Sequence, residues 1–268
     1  MSILDGLDEI FDRHLGVEHI GSPPHHRHRA SAQRLSATRP AGLDARRLLE
    51  EAYARLVSNL DRSPRFVRSG PSRENWRLTK QLADSPLNPS PEVTLERAIA
   101  RATGTDWVNQ VPVASGLWDH VADKRRAVDL VCCAGDRIFE LIELKVDTDT
   151  PLRAAVEIVE YGLLYALARD RYPVTEIASK DLLQAKEMHL RVLAPAAYYT
   201  PYNLGWLAHD LDAGLRTLVS DRFGGLLVAS FAFDAFPDDF CWPCAVSVLV
   251  DSLRHRRRAW SAESATER

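Results

Sequence analysis

Asp129, Glu143 and Lys145 interrupt two otherwise apolar runs in the stretch "RRAVDLVCCAGDRIFELIELKVD", residues 125–147. Alternate residues of a strand share a face, so Glu143 and Lys145 project to one side while Ile142, Leu144 and Val146 go to the other. A turn at Gly135-Asp136 returns the first strand antiparallel to the second and sets Asp129 level with Glu143 to within about one residue. Two carboxylates converging on one face make a hard oxygen site suited to Mg²⁺ or Mn²⁺. An ammonium beside them can stabilise a developing negative charge, or help to orient or deprotonate an attacking water. A cross-strand ion pair uses the same residue types, so both readings are open at this point. The lysine adds a hint. The chain carries its positive charge almost entirely on arginine, and of Lys80, Lys124, Lys145, Lys180 and Lys186 only Lys145 has an acidic residue two positions earlier. A compact ammonium with a tunable pKa is what arginine cannot replace.

The elements that must position these groups follow from periodicity. Strands are expected over 107–118, 126–133, 137–146, 188–199 and 224–236. Pro112 marks the first as an edge or bulge. The segment 150–169 is an amphipathic helix with Thr150 as cap and Pro151 in the first turn, and a further helix fills the stretch between the last two strands. Ser90 caps a helix that Gly104 closes, and a basic helix ends the chain, followed by a polar tail. Upstream, helical spacing covers part of 3–14, then 43–60 and 72–82. Residues 21–42, "GSPPHHRHRASAQRLSATRPAG", have almost no large apolar side chain and read as part of a flexible arm at about 15–42. The expected whole is a mixed α/β domain over 90–268 behind a helical N-terminal extension, 1–89.

Bulk properties exclude several classes. With 268 residues, 46% of them hydrophobic, the chain can bury a sizeable core. A net charge of -3 means that any nucleic-acid contact must come from a local basic patch. No apolar run reaches the ~18–20 residues of a membrane span. The acidic, amphipathic N-terminus is unlike a signal peptide, so a cytoplasmic protein with no membrane partner is expected. A homo-oligomer is left open.

The arrangement of Asp129, thirteen intervening residues and Glu143-Leu144-Lys145 resembles the PD-(D/E)xK nuclease superfamily. The order of elements from 90 to 236 agrees with its core. The resemblance implies a restriction endonuclease-like fold, a mixed central sheet flanked by helices, and Mg²⁺- or Mn²⁺-dependent hydrolysis of phosphodiester bonds, with DNA as the expected partner. It implies that Asp129, Glu143 and the carbonyl of Leu144 hold the ion, that Lys145 sits by the attacking water, and that Glu96 is an additional acidic residue of the catalytic set. Glu157 and Tyr161 resemble the Gln-x-x-x-Tyr element of the RecB-like exonuclease branch, with Glu in place of Gln, and are expected to position substrate. Val128 stands where such proteins often have proline. Read without the resemblance, Glu96 also suits a solvated helix face, and Glu157 and Tyr161 an ordinary amphipathic helix. A non-catalytic binding or assembly module on the same fold is the alternative to the enzyme.

Three further signals compete. "FCWPCAV", 240–246, has the local look of a strand, a Cys-x-Pro-Cys turn and a helix, as in thioredoxin-like redox sites, although buried or incidental thiols account for it as well. "RHRRR", 254–258, suits phosphates or a helix C-terminus. His25, His26 and His28 fit a metal site or a solvated tract.

Overall fold

The computed structural model describes residues 1–82 and 90–260. The boundary expected at 89, with Pro86 and Pro89, and the polar tail after Trp260 lie outside the described residues. The chain opens with α1 (Leu7–Leu15), α2 (Arg29–Ala37), α3 (Ala45–Asp61) and α4 (Pro64–Ser69). The helix α5 (Pro91–Ala102) leads into three successive antiparallel strands, β1 (Trp107–Pro112), β2 (Ala127–Gly135) and β3 (Ile138–Leu144). Then come α6 (Pro151–Arg171), the short α7 (Val174–Ala178), β4 (Glu187–Ala194), the single turn α8 (Ala196–Tyr199), α9 (Gly205–Phe223), β5 (Val228–Ala235), α10 (Val246–Arg254) and β6 (Arg257–Arg258).

The six strands form one sheet in chain order. β4 lies parallel to β3 and β5 parallel to β4, each reached by a helical crossover, and β6 pairs antiparallel with β5. This is an α/β protein with a mixed sheet between two helical layers. One layer holds α1, α3, α6 and α9 over Leu141, Leu190 and Phe231; the other holds α5 and α10, whose Leu95, Ile99, Leu249 and Leu253 cover Leu130, Ile142 and Leu193. Among the described residues no helix is long and apolar enough to cross a membrane.

Several expectations need correction. Residues 25–27 form a 3-10 turn and Arg29–Ala37 a helix, with His26 fully buried, so half of the proposed arm is folded against the rest of the chain. Its few apolar groups suffice because buried polar hydrogen bonds, described below, replace the missing hydrophobic contacts. Residues 72–82 are not helical. Trp76 adopts a left-handed backbone (φ 62°), its N–H donates to the Pro112 carbonyl at 2.7 Å, and its buried ring meets Tyr165 edge-on at 5.5 Å. Burial of one large aromatic and pairing to the end of β1 override a helical spacing. β1 stops at Pro112 and β4 at Ala194, before Pro195, because proline offers no ladder donor. β5 starts only at Val228, and the last helix ends at Arg254, the basic run turning back to pair with β5.

The crossover α6 carries the site's second layer and is buried along most of its length. The Thr150 hydroxyl accepts from the Arg153 N–H at 3.2 Å, and Pro151 occupies the first turn. Gly162 lets the helix seat on β4, since a Cβ there would strike Leu190, itself fully buried and unable to swing away. Gly162→Val should therefore cost about 1–3 kcal/mol through overpacking. Urea unfolding measures it, and a variant as stable as the wild type would contradict this close approach.

Candidate active site

The hairpin register pairs Leu130 with Ile142. The next residues on each strand, Asp129 and Glu143, thus stand level on the face covered by α6. The Asp129 carboxylate accepts the Leu144 N–H at 2.9 Å, which ties the two strands together at the end of the ladder. Beyond β3 the backbone of Lys145 still donates to Leu193 of β4 at 2.9 Å, so the lysine is held in sheet geometry. Its ammonium lies 2.7 Å from Glu143, 3.6 Å from Glu157 and 3.9 Å from Asp149. On the other side of the loop, Glu92 of α5 accepts from the N–H groups of Val146 and Thr148 and from the Thr148 hydroxyl, which fixes the chain just after the lysine.

Of the residues expected in the site, Asp129, Glu143, Lys145 and Glu157 come together. Tyr161 joins them through a hydroxyl that donates to Glu157 at 3.4 Å. Glu96 is buried and engaged elsewhere, accepting from Asn109 at 2.7 Å and Gln110 at 2.6 Å on β1. It acts on Asp129 only through its charge. The solvated-face reading of Glu96 does not hold.

The electrostatics follow from burial. Glu143 and Lys145 are 3% and 8% exposed, and Asp129 lies at the partly open end of the cluster. Enclosure pushes the Asp129 carboxyl up to about 7 despite the nearby Lys145. Glu143 is raised well above the usual range by burial and then by the charges of Asp129 and Glu157. Burial works against the Lys145 charge as well, but Glu143, Glu157 and Asp129 together outweigh it and raise the lysine. Glu157 shares a hydrogen bond with Glu143 and is kept ionised by Arg153 and Lys145 against its own burial. The consistent state is a charged lysine and a charged Glu157, with a proton retained between the remaining carboxyls.

That surplus of desolvated carboxylates fits a small, hard dication. Among the described residues no three His, Cys, Asp or Glu side chains form a ready-made cage. Mg²⁺, however, usually takes only one or two protein carboxylates and keeps several waters, which is what Asp129 and Glu143 offer.

Several residues here escaped sequence reasoning. Arg153 sits one turn before Glu157 and 3.7 Å from it, an i,i+4 pair that the sequence displays openly. Gln110 adopts a left-handed backbone (φ 52°) between the Asn109–Leu130 and Val111–Val128 pairs, level with Asp129. A non-glycine residue held there inside a strand marks strain at a functional site more often than elsewhere. Tyr198, in α8, has a buried hydroxyl with no hydrogen-bond partner and feels the charges of Lys145 and Asp149. Only the fold brings these last two to the site.

The rival signals resolve structurally. The strand before the Cys-x-Pro-Cys turn, β5, already ends at Ala235 and does not run into Cys241. Trp242 within the turn donates to Thr94 of α5 at 3.0 Å, and Trp242 and Cys244 pack on the core beneath α5 and α10. In the basic run, Arg256 pairs with Glu140 at 2.9 Å and lies over the Trp107 ring, Arg257 pairs with Asp238, and Arg258 with Asp234. Carboxylates of this chain thus pair with Arg256, Arg257 and Arg258 of the run. Comparison with family models, with curated proteins and with solved structures found no match to this chain.

The carboxyls predict a pH effect of definite sign. Asp129 and Glu160, a buried neighbour of Arg153, are both raised by burial to about 7, whereas unfolded carboxyls titrate near about 4. The folded chain binds these extra protons, so the contribution of these two carboxyls to stability in EDTA falls as pH rises from about 4 through about 7. Asp129→Asn should flatten that decline and raise the melting temperature at pH 8 by a few degrees. Thermal unfolding of both proteins across this range checks it, and a difference in melting temperature between Asp129→Asn and wild type that does not change from pH 5 to pH 8 would contradict the assignment.

Proposed function

We propose that the protein is a metal-dependent nuclease of the PD-(D/E)xK type, on a restriction endonuclease-like arrangement, hydrolysing phosphodiester bonds in DNA. The observation that carries the reading is the convergence of Asp129, Glu143 and the Lys145 ammonium at the end of one hairpin. The order of elements, an antiparallel hairpin and a capped helix followed by two parallel strands, supports it. Asp129, Glu143 and the Leu144 carbonyl would hold Mg²⁺ or Mn²⁺. Such an ion polarises a phosphate and lowers the pKa of water.

The chain's own groups then have separate tasks. Lys145, kept charged by its carboxylate neighbours, stabilises negative charge developing on the phosphate rather than acting as a base. Glu157 holds the ammonium from the α6 side, with Tyr161 bracing its carboxylate. Arginines near the cleft, Arg126 among them, meet backbone phosphates, so binding weakens as salt rises.

A second reading has its own observation. The Glu143–Lys145 contact at 2.7 Å is closed and largely buried, as in a structural ion pair of a non-catalytic binding module. Incubation of plasmid, linear DNA and RNA with Mg²⁺ or Mn²⁺ separates the two. The nuclease cuts DNA, and Lys145→Ala lowers the rate about 10²–10³-fold with its circular dichroism unchanged. A wild-type protein that leaves every substrate intact in both metals, with no metal-induced rise in melting temperature, is the module.

A further inference from the structure

We infer that the N-terminal segment is an integral part of this site: His26, as the neutral Nδ1–H tautomer, holds Arg153 against Glu157 and so positions Lys145. The role at Lys145 rests on the nuclease reading; the tautomer and the grip on Arg153 do not.

The geometry determines the ring's state. Asp12, on α1, is buried; one of its oxygens accepts the His25 N–H at 2.7 Å, and the other accepts the His26 N–H at 2.7 Å. The same second oxygen lies 2.8 Å from His26 Nδ1. A carboxylate that already accepts backbone donors is an acceptor for the ring too, so Nδ1 carries the proton. On the opposite edge, Nε2 lies 3.3 Å from a guanidinium nitrogen of Arg153. A guanidinium can only donate, so Nε2 must present its lone pair. Both ring nitrogens are thereby assigned, and the imidazole is neutral.

From the ring the chain of contacts runs into the site. The other terminal nitrogen of Arg153 reaches Glu157 at 3.7 Å, and the second oxygen of that carboxylate faces the Lys145 ammonium at 3.6 Å. His26 is wholly buried and Arg153 nearly so, which leaves little room for either to be held by solvent instead. The charged groups facing the ring are Asp8 and Asp12 from α1 and Arg153 from α6. Burial, with Arg153 adding to it, lowers the pKa of the ring below 6.5 against the pull of both aspartates. A buried oxygen of Asp8, 3.5 Å from Nε2, has no hydrogen-bond partner. It would gain one only if the ring took a second proton and turned from Arg153 to Asp8.

Nitrogen-15 spectroscopy of the histidine rings in the full chain tests the tautomer, with His26→Gln identifying the signal. The expected spectrum shows Nδ1 protonated and Nε2 bare at neutral pH, and Arg153→Met should let the ring titrate at higher pH. A wild-type ring protonated at Nε2, or one indifferent to Arg153→Met, overturns the inference whether or not DNA is cut. In the cleavage assay, His26→Leu should lower kcat about 10–100-fold, with KM for DNA unchanged. His26→Gln, which keeps an acceptor for Arg153, should recover most of that loss. An undiminished kcat in a folded His26→Leu protein overturns the positioning role. The expected tautomer in a wild-type protein that cuts nothing supports the grip on Arg153 and removes the nuclease reading alone.

Discussion

Five carboxylates, Asp129, Glu143, Glu157, Glu160 and Asp149, crowd around two cations, Lys145 and Arg153, where β3 ends and α6 begins. All but Asp149 are largely withdrawn from water. Removing either cation from such a cluster typically costs about 3–5 kcal/mol, because buried carboxylates are left uncompensated, whereas removing a surplus acid relieves repulsion. The surrounding architecture keeps every member in place. The β2–β3 hairpin sets the two acids level, β4 extends the sheet beneath Lys145, and α5 fixes the loop after it through Glu92. α6 lines up Arg153, Glu157 and Glu160 at helical spacing, on a stripe that would otherwise be apolar. An apolar core of the same volume is often at least as stable, so stability alone does not account for burying these groups.

The N-terminal residues belong to the same constraint. A tract of histidine, arginine, proline and serine looks unable to fold because it has so little to bury. It folds because Asp12 collects three donors from His25 and His26, and because Arg153 supplies a partner on the far side of the ring. Hydrogen bonds to a buried charged acceptor contribute about 1.5–3 kcal/mol each, enough for a few of them to do what hydrophobic contacts do elsewhere. The far face of the sheet repeats the pattern. There Glu140 and Asp234 lie close to the buried Arg191, and Arg256 and Arg258 close over them.

Much of this was legible in the sequence because it depends on local periodicity. The strand alternation around Gly135 placed Asp129 opposite Glu143, the Thr150-Pro151 cap located α6, and the Ser90-Pro91 cap located α5. The residues that escaped are those whose placement depends on tertiary contact. Nothing near Trp76 announces that its ring will be clamped against Tyr165, nothing near Tyr198 that it will come close to the lysine, and nothing near Gln110 that it will stand level with Asp129. Glu96 was legible as an acid on a helix but not as one engaged by the amides of Asn109 and Gln110. Arg153 stood in view as a helical neighbour of Glu157, but its importance depends on His26, which lies more than a hundred residues earlier.

The central claim is that the desolvated acids at the end of this hairpin are arranged to accept a divalent ion. Anomalous diffraction from crystals soaked in Mn²⁺ examines it most directly. The account predicts a single strong peak between the carboxylates of Asp129 and Glu143, with the Lys145 ammonium displaced from Glu143 but still against Glu157. A map without density there, in which Glu143 and Lys145 keep their contact at millimolar Mn²⁺, would contradict it.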